Sequence, residues 1–191
     1  MKVLVVDDSA ERAGVLRESL EQAGFEVAEA MSATFDLLDR VEAVRPDVIV
    51  IDTESPSRDV LEHLCVLSQS SPRPIVMFTS DDAQASIREA VRSGVSAYVV
   101  DGLDPSRVRS IVEVACARFE EFQRLRDELT EANLRLEERK LVDRAKGILM
   151  KSRGWDEETA YSALRKLAMD RKIRVGAAAQ QVIDAANLLG A

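Results

Sequence analysis

Five oxygen-bearing residues stand at the ends of three short apolar runs. Asp7 and Asp8 close the run KVLVV, Asp52 closes VIVI, and Thr79-Ser80 close IVMF. If these runs are strands of one parallel sheet, their ends meet at the edge where such sheets carry their chemistry. Asp7, Asp8 and Asp52 would then form a hard, oxygen-rich site suited to Mg²⁺. Three carboxylates also repel one another, which favours a cation or a covalent change that relieves the repulsion. Asp52, after the central run, is the candidate phosphoryl acceptor, and Thr79 the hydroxyl that would hydrogen-bond a phosphoryl oxygen. Acids that merely cap turns account less well for two adjacent acids after one run and a third after another.

The elements that must position these groups alternate strand and helix. Lys2–Val6, Glu26–Ala30, Val48–Ile51, Ile75–Phe78 and Ala97–Val100 read as strands. Between them, Ala13, Leu16, Leu20 and Ala23 recur at helical spacing and end at Gly24. So do Leu37, Leu38, Val41 and Val44 before Pro46, then Val60, Leu64 and Leu67, then Ile87, Ala90 and Val91 before Gly94. Strands that are apolar throughout are buried on both faces, as in a parallel sheet covered by helices. The expected fold is a five-stranded, doubly wound, flavodoxin-like α/β domain.

Other chemistries are poorly served. His63 is the one histidine, so neither a Ser-His-Asp triad nor a His-based metal centre is expected. Cys65 and Cys116 make neither a disulfide framework nor zinc-like spacing, which points to a reducing, cytoplasmic setting. No apolar run approaches the roughly 20 residues needed to cross a bilayer. MKVLVVDDSA turns acidic too soon for a signal peptide. A non-enzymatic, membrane-independent protein is expected.

Residues 1–105 resemble a response-regulator receiver domain, through VLVVDDS (3–9), VIVIDTESP (48–56), IVMFTS (75–80) and SAYVV (96–100). The resemblance implies Asp7 and Asp8 as the acidic pocket for Mg²⁺, Asp52 as the phosphorylated residue, Thr79 as switch hydroxyl and Tyr98 as switch aromatic. It implies a sensor kinase as partner. One position departs. Receivers follow the fifth strand with a lysine that pairs with the phosphoryl group, and here Asp101 stands in that place. An aspartate repels a dianionic phosphoryl group where a lysine attracts it. Control by a partner protein instead of phosphorylation therefore stays open.

Asp104-Pro105 is a helix start, with a cap residue and then Pro at the first helical position. No Gly or Pro follows until Gly147. Seven-residue spacing aligns Val108, Ala115, Phe122, Leu129 and Leu136 on one seam and Ile111, Arg118, Leu125, Ala132 and Arg139 on the other. The helix is expected to begin as receiver packing and continue, over 106–139, as the linker of a coiled-coil homodimer. A helix folded back on its own receiver, or a solvated single helix, is the alternative.

Charge changes sign near the end. Residues 1–139 hold 16 Lys+Arg against 28 Asp+Glu, and residues 140–191 hold 10 against 6. A basic end on an acidic body suggests an anionic ligand there. Three helices are expected: one stopping at Gly154, one capped by Asp156, and one over Val175–Leu189. On the first, Leu141, Ala145, Ile148, Leu149 and Ser152 share the core face, opposite Lys140, Arg144, Lys146, Gly147, Met150 and Lys151. On the second, Ala160, Tyr161, Leu164, Leu167 and Ala168 form the core face, opposite Ser162, Arg165, Lys166 and Met169. Basic groups beside soft apolar ones suit RNA hairpin loops with unstacked bases. Solvated charged faces, with each Met filling a gap against a neighbouring helix, would read the same way. Duplex DNA fits less well, because the third helix has no Lys or Arg to enter a major groove.

KLVDRAKGILM (140–150), TAYSALRKLAMDRK (159–172) and AAQQVI (178–183) resemble an ANTAR domain. That is the RNA-binding module of receiver-linked transcription antiterminators. The resemblance implies that residues 140–191 bind paired stem-loops in a leader mRNA and keep a terminator from forming. Arg144, Lys146, Gly147, Met150, Arg165 and Met169 are assigned to the RNA face. Asp101 is similar to the nitrate-assimilation branch, which implies a nitrate-sensing regulatory partner. The competing reading is a signalling adaptor whose coiled coil and C-terminal helices bind protein.

Overall fold

The computed structural model of the chain describes residues 1–7, 9–31, 37–100 and 104–189. They form two compact units, 1–123 and 124–191.

In the first unit, β1 (Lys2–Asp7), β2 (Glu26–Met31), β3 (Val48–Thr53), β4 (Ile75–Thr79) and β5 (Ala97–Val100) make one parallel sheet in the order β2-β1-β3-β4-β5. The helices are α1 (Ala10–Gln22), α2 (Leu37–Val44), α3 (Arg58–Ser70) and α4 (Gln84–Arg92), followed by the start of α5 (Pro105–Arg153). The three inner strands are buried on both faces because their side chains alternate between two cores. Leu4, Val6, Ile49, Ile51, Ile75 and Met77 face α2, α3 and α4 through Leu37, Val41, Leu61, Leu64, Leu67 and Ala90. Val3, Val5, Val48, Val50, Val76 and Phe78 face α1 and α5 through Leu16, Leu20, Val108, Val112 and Ala115. The expected five-stranded doubly wound sheet is observed. β5, an edge strand, is only half-buried, where the apolar run YVV predicts full burial.

The order β2-β1-β3 puts β1 beside β3, with Asp7 opposite Asp52 in the register. Thr79 pairs with Thr53 on the other side of β3. Three loops from distant parts of the sequence therefore converge at one sheet edge.

The second unit holds the rest of α5, with α6 (Glu157–Arg171) and α7 (Val175–Leu189). Gly154, at φ +68°, ends α5, a conformation that L side chains rarely adopt. Asp156 caps α6, its carboxylate accepting from the Thr159 N–H at 2.8 Å. Ala145, Leu164, Ala179 and Ile183 form the buried centre, with Leu141, Ile148, Leu149 and Val182 packed on it. Three of the five core-face positions expected on α6, Ala160, Leu164 and Ala168, are buried, and Leu167 is half-buried. Tyr161 is not buried: it is 43% exposed. It sits at the margin of the apolar arc, about 60° from Leu164 at 100° per residue, so its ring turns outward. Among the described residues no helix is long and apolar enough to cross a membrane.

Candidate functional site

The sheet-edge site is built on Asp7, which is 1% exposed. Its Oδ1 accepts from the Ser9 N–H at 2.7 Å and from Arg12 Nη2 at 3.2 Å. Its Oδ2 is buried with no hydrogen-bond partner among the described residues. A buried carboxylate oxygen left unpaired is costly unless a cation or donor satisfies it. Asp52 stands opposite on β3, half-buried. Burial and the neighbouring Asp7 charge raise its carboxyl pKa above the ordinary value, against a smaller lowering by Arg12. Asp52 lines a cavity of about 490 Å³ with Arg12, Glu54, Thr79 and Ser80. Asp8 and Asp101 lie outside the described residues.

Thr79 is buried, and its hydroxyl donates to the Glu54 carbonyl at 2.9 Å while accepting from the Asp81 N–H at 3.1 Å. The Asp81 carbonyl in turn accepts from the Tyr98 hydroxyl at 2.9 Å. Ser55 Oγ bridges to Asp81 Oδ2 at 2.9 Å. A continuous chain of hydrogen bonds thus joins the loop after Asp52 to Tyr98. A Thr79 hydroxyl turned toward an oxygen on Asp52 must give up the Glu54 carbonyl.

Sequence reasoning missed Arg12, which reaches Asp7 and, at 3.4 Å, Glu54. Its signal was a basic residue in the first turn of a helix, where the macrodipole disfavours one.

In the second unit, Arg144, Gly147, Met150, Arg165 and Met169 are all exposed, Met169 to 72%. A Cβ built on Gly147 would meet nothing within 4 Å. Packing inside the unit gives no reason for a mid-helix Gly, which costs about 1 kcal/mol against Ala. Lys146 differs. Its side chain is 16% exposed, and Nζ lies 2.7 Å from both Asp143 and Glu157. Arg165 and Met169 line a groove of about 930 Å³ with Leu134, Leu141, Ile173 and Val175. Arg144, Gly147 and Met150 lie farther along α5 and do not line it. Glu138, also unforeseen, accepts from the Gly176 N–H at the start of α7 at 3.0 Å.

Comparison with known proteins agrees with this division. A family profile for the response regulator receiver domain matches residues 3–113, and one for the ANTAR domain matches 130–183. The transcriptional regulatory protein PdtaR of Mycobacterium tuberculosis is 30% identical over 183 residues, covering 96% of this chain and 89% of that protein. The chemotaxis protein CheY of Thermotoga maritima is 26% identical over 108 residues, 56% of this chain and 90% of that one. Among solved structures, Vibrio cholerae CheY4 matches with TM-score 0.52 and 26% identity, covering 59% of this chain and 95% of that one. The receiver domain of a modulated diguanylate cyclase from Desulfovibrio desulfuricans matches in fold, with TM-score 0.55 at 22% identity over 62% and 95%.

Proposed function

Since this chain belongs to the response regulators that join a receiver domain to a C-terminal ANTAR domain, we propose that it is an RNA-binding transcription antiterminator. In this reading the helical unit binds paired stem-loops of a leader mRNA and prevents the terminator from forming. The observation that carries it is the surface of that unit. Gly147 has no packing role, Met169 is largely exposed, and Arg165 stands exposed on the same groove. Exposed guanidinium groups attract phosphates, and a methionine and a bare backbone offer contact to unstacked bases.

Control is assigned to the receiver. Asp7, Asp8 and Asp52 would hold Mg²⁺, and the unpaired Asp7 Oδ2 fits a metal ligand. The ion's part is to neutralise negative charge as a phosphoryl group from a sensor kinase reaches Asp52. Thr79 then shifts its hydroxyl from Glu54 toward that group, and Asp81 and Tyr98 follow through the hydrogen-bonded chain. Asp101, in the place of the usual lysine, favours a second route in which a sensor partner, of the nitrate-sensing kind, grips the receiver directly. The exposed seam of α5 supports a homodimer, which would present two helical units to two stem-loops.

The test is a competition titration of the full chain with a two-hairpin leader RNA, a scrambled RNA of equal length and duplex DNA. Preference for the hairpin RNA is expected. Equal binding to all three, or none, would favour a protein-binding adaptor.

A further inference from the structure

Arg12 is held in the acidic pocket against several local preferences. It is the third residue of α1, where the helix dipole disfavours a cation. Its Nε is buried with no hydrogen-bond partner among the described residues, a cost that a solvated arginine avoids. What keeps it there is charge. Nη2 lies 3.2 Å from Asp7 Oδ1, Nη1 lies 3.4 Å from Glu54 Oε1, and Asp52 lines the same cavity. Asp7 Oδ1 is already filled by two donors. The remaining oxygen belongs to the same carboxylate, so a metal ion there would face the guanidinium across one functional group. Like charges so placed repel, and the carboxylate between them is buried although the Arg12 side chain itself is 37% exposed.

We propose that Arg12 is a resident counter-cation of the receiver pocket, competing with a divalent cation for Asp7, so that metal occupancy requires Arg12 to leave. The proposal rests on the reading of the pocket as a divalent-cation site. It makes Arg12 a determinant of metal affinity built into this chain, and it ties metal binding to a movement at the start of α1.

The test is calorimetric titration of the full chain with Mg²⁺ and Mn²⁺, for the native sequence, Arg12→Met and Arg12→Lys. Removing the charge should tighten divalent binding by about tenfold or more; keeping it with lysine should leave affinity near the native value. Equal affinity in all three folded proteins would overturn the competition and leave the metal site standing. No binding by any of them would overturn the metal site and the competition together. Should Arg12→Met fail to fold, the native chain still decides. Saturating Mg²⁺ should move the Arg12 side-chain Nε–H resonance and speed its exchange with water. An unmoved resonance in a metal-saturated chain would overturn the proposal.

Discussion

Lys146 Nζ stands 2.7 Å from Glu157 Oε1, so a side chain of α5 grips the first residue of α6 across the turn that joins them. The same Nζ is 2.7 Å from Asp143, and both carboxylates hold the ammonium pKa above its ordinary value. Lys146 is therefore a structural clamp before it is anything else.

Lys146→Glu should lower the melting temperature of the helical unit by a few degrees, because it sets three carboxylates together. Combining it with Glu157→Lys should restore part of that loss. Differential scanning calorimetry of the two single variants and the pair measures this. If RNA binding returns with stability in the pair, Lys146 acts on RNA only through the fold. If stability returns without binding, Lys146 also touches RNA.

The cap on α7 gives a prediction of sign. Glu138 accepts from Gly176 N–H, and a Cβ at 176 would lie 2.7 Å from Glu138 Cγ. A helical Gly→Ala change ordinarily stabilises by up to about 1 kcal/mol. Here Gly176→Ala should destabilise in the native background and stabilise in the Glu138→Ala background. Glu138→Ala alone should cost about 1 kcal/mol, as for a lost helix cap. Urea unfolding of the four proteins forms a double-mutant cycle. A stabilising Gly176→Ala with Glu138 intact would contradict it.

A third prediction concerns pH. Hydrogen bonds from Thr159 hold the Asp156 carboxyl below its ordinary pKa. A carboxyl whose pKa is lower folded than unfolded stabilises the fold above the unfolded value, and that stability is lost as pH falls through the folded one. Asp156→Ala should thus lower the melting temperature by a few degrees at pH 7, with the difference shrinking under acid conditions. Asp156→Asn, an equally good cap, should change little at pH 7. Thermal melts followed by circular dichroism at neutral and acid pH check this.

How much of this was legible in the sequence depends on what each residue answers to. The inner strands were legible because burial on both faces leaves an unbroken apolar run, as in VIVI before Asp52. The core face of the helical module, at Ala145, Ala160, Leu164 and Ala168, was legible because a helix repeats its neighbours every third or fourth residue. Arg12 was not, since its partners sit 5 and 42 positions away and meet only when β1 lies beside β3. The exposure of Tyr161 and the reach of Lys146 to Glu157 were missed for a different reason. A helical wheel gives the direction in which a side chain leaves the backbone, and not where a long one ends. Tyr161 turned out of the core, and Lys146, assigned to the open RNA face, folded back onto Glu157. Asp8 and Asp101 were assigned from the sequence and lie outside the described residues.

The seam of α5 supplies a fourth prediction. Phe122, Leu129 and Leu136 on one seam and Leu125 on the other are exposed, Leu129 to 63%, while Val108 and Ala115 on the first seam are buried in the first unit. Apolar residues repeated at this spacing seek a second helix. The native chain should sediment as a dimer at micromolar concentration, and Leu129→Lys should shift it to monomer. A native monomer, or a dimer indifferent to Leu129→Lys, would contradict the coiled-coil reading.

The most direct test of the account is the salt dependence of affinity for a two-hairpin leader RNA, measured for the native chain and for Arg165→Glu. Arg165 is exposed and lies on the Met169 groove, so its charge can be reversed without disturbing the buried centre. Native affinity should fall steeply with salt, because phosphate contacts release counterions. Arg165→Glu, folded and with an unchanged melting temperature, should lose most of that affinity and show a shallower salt slope. Native affinity that ignores salt, or an Arg165→Glu chain that binds as tightly as the native one, would contradict it.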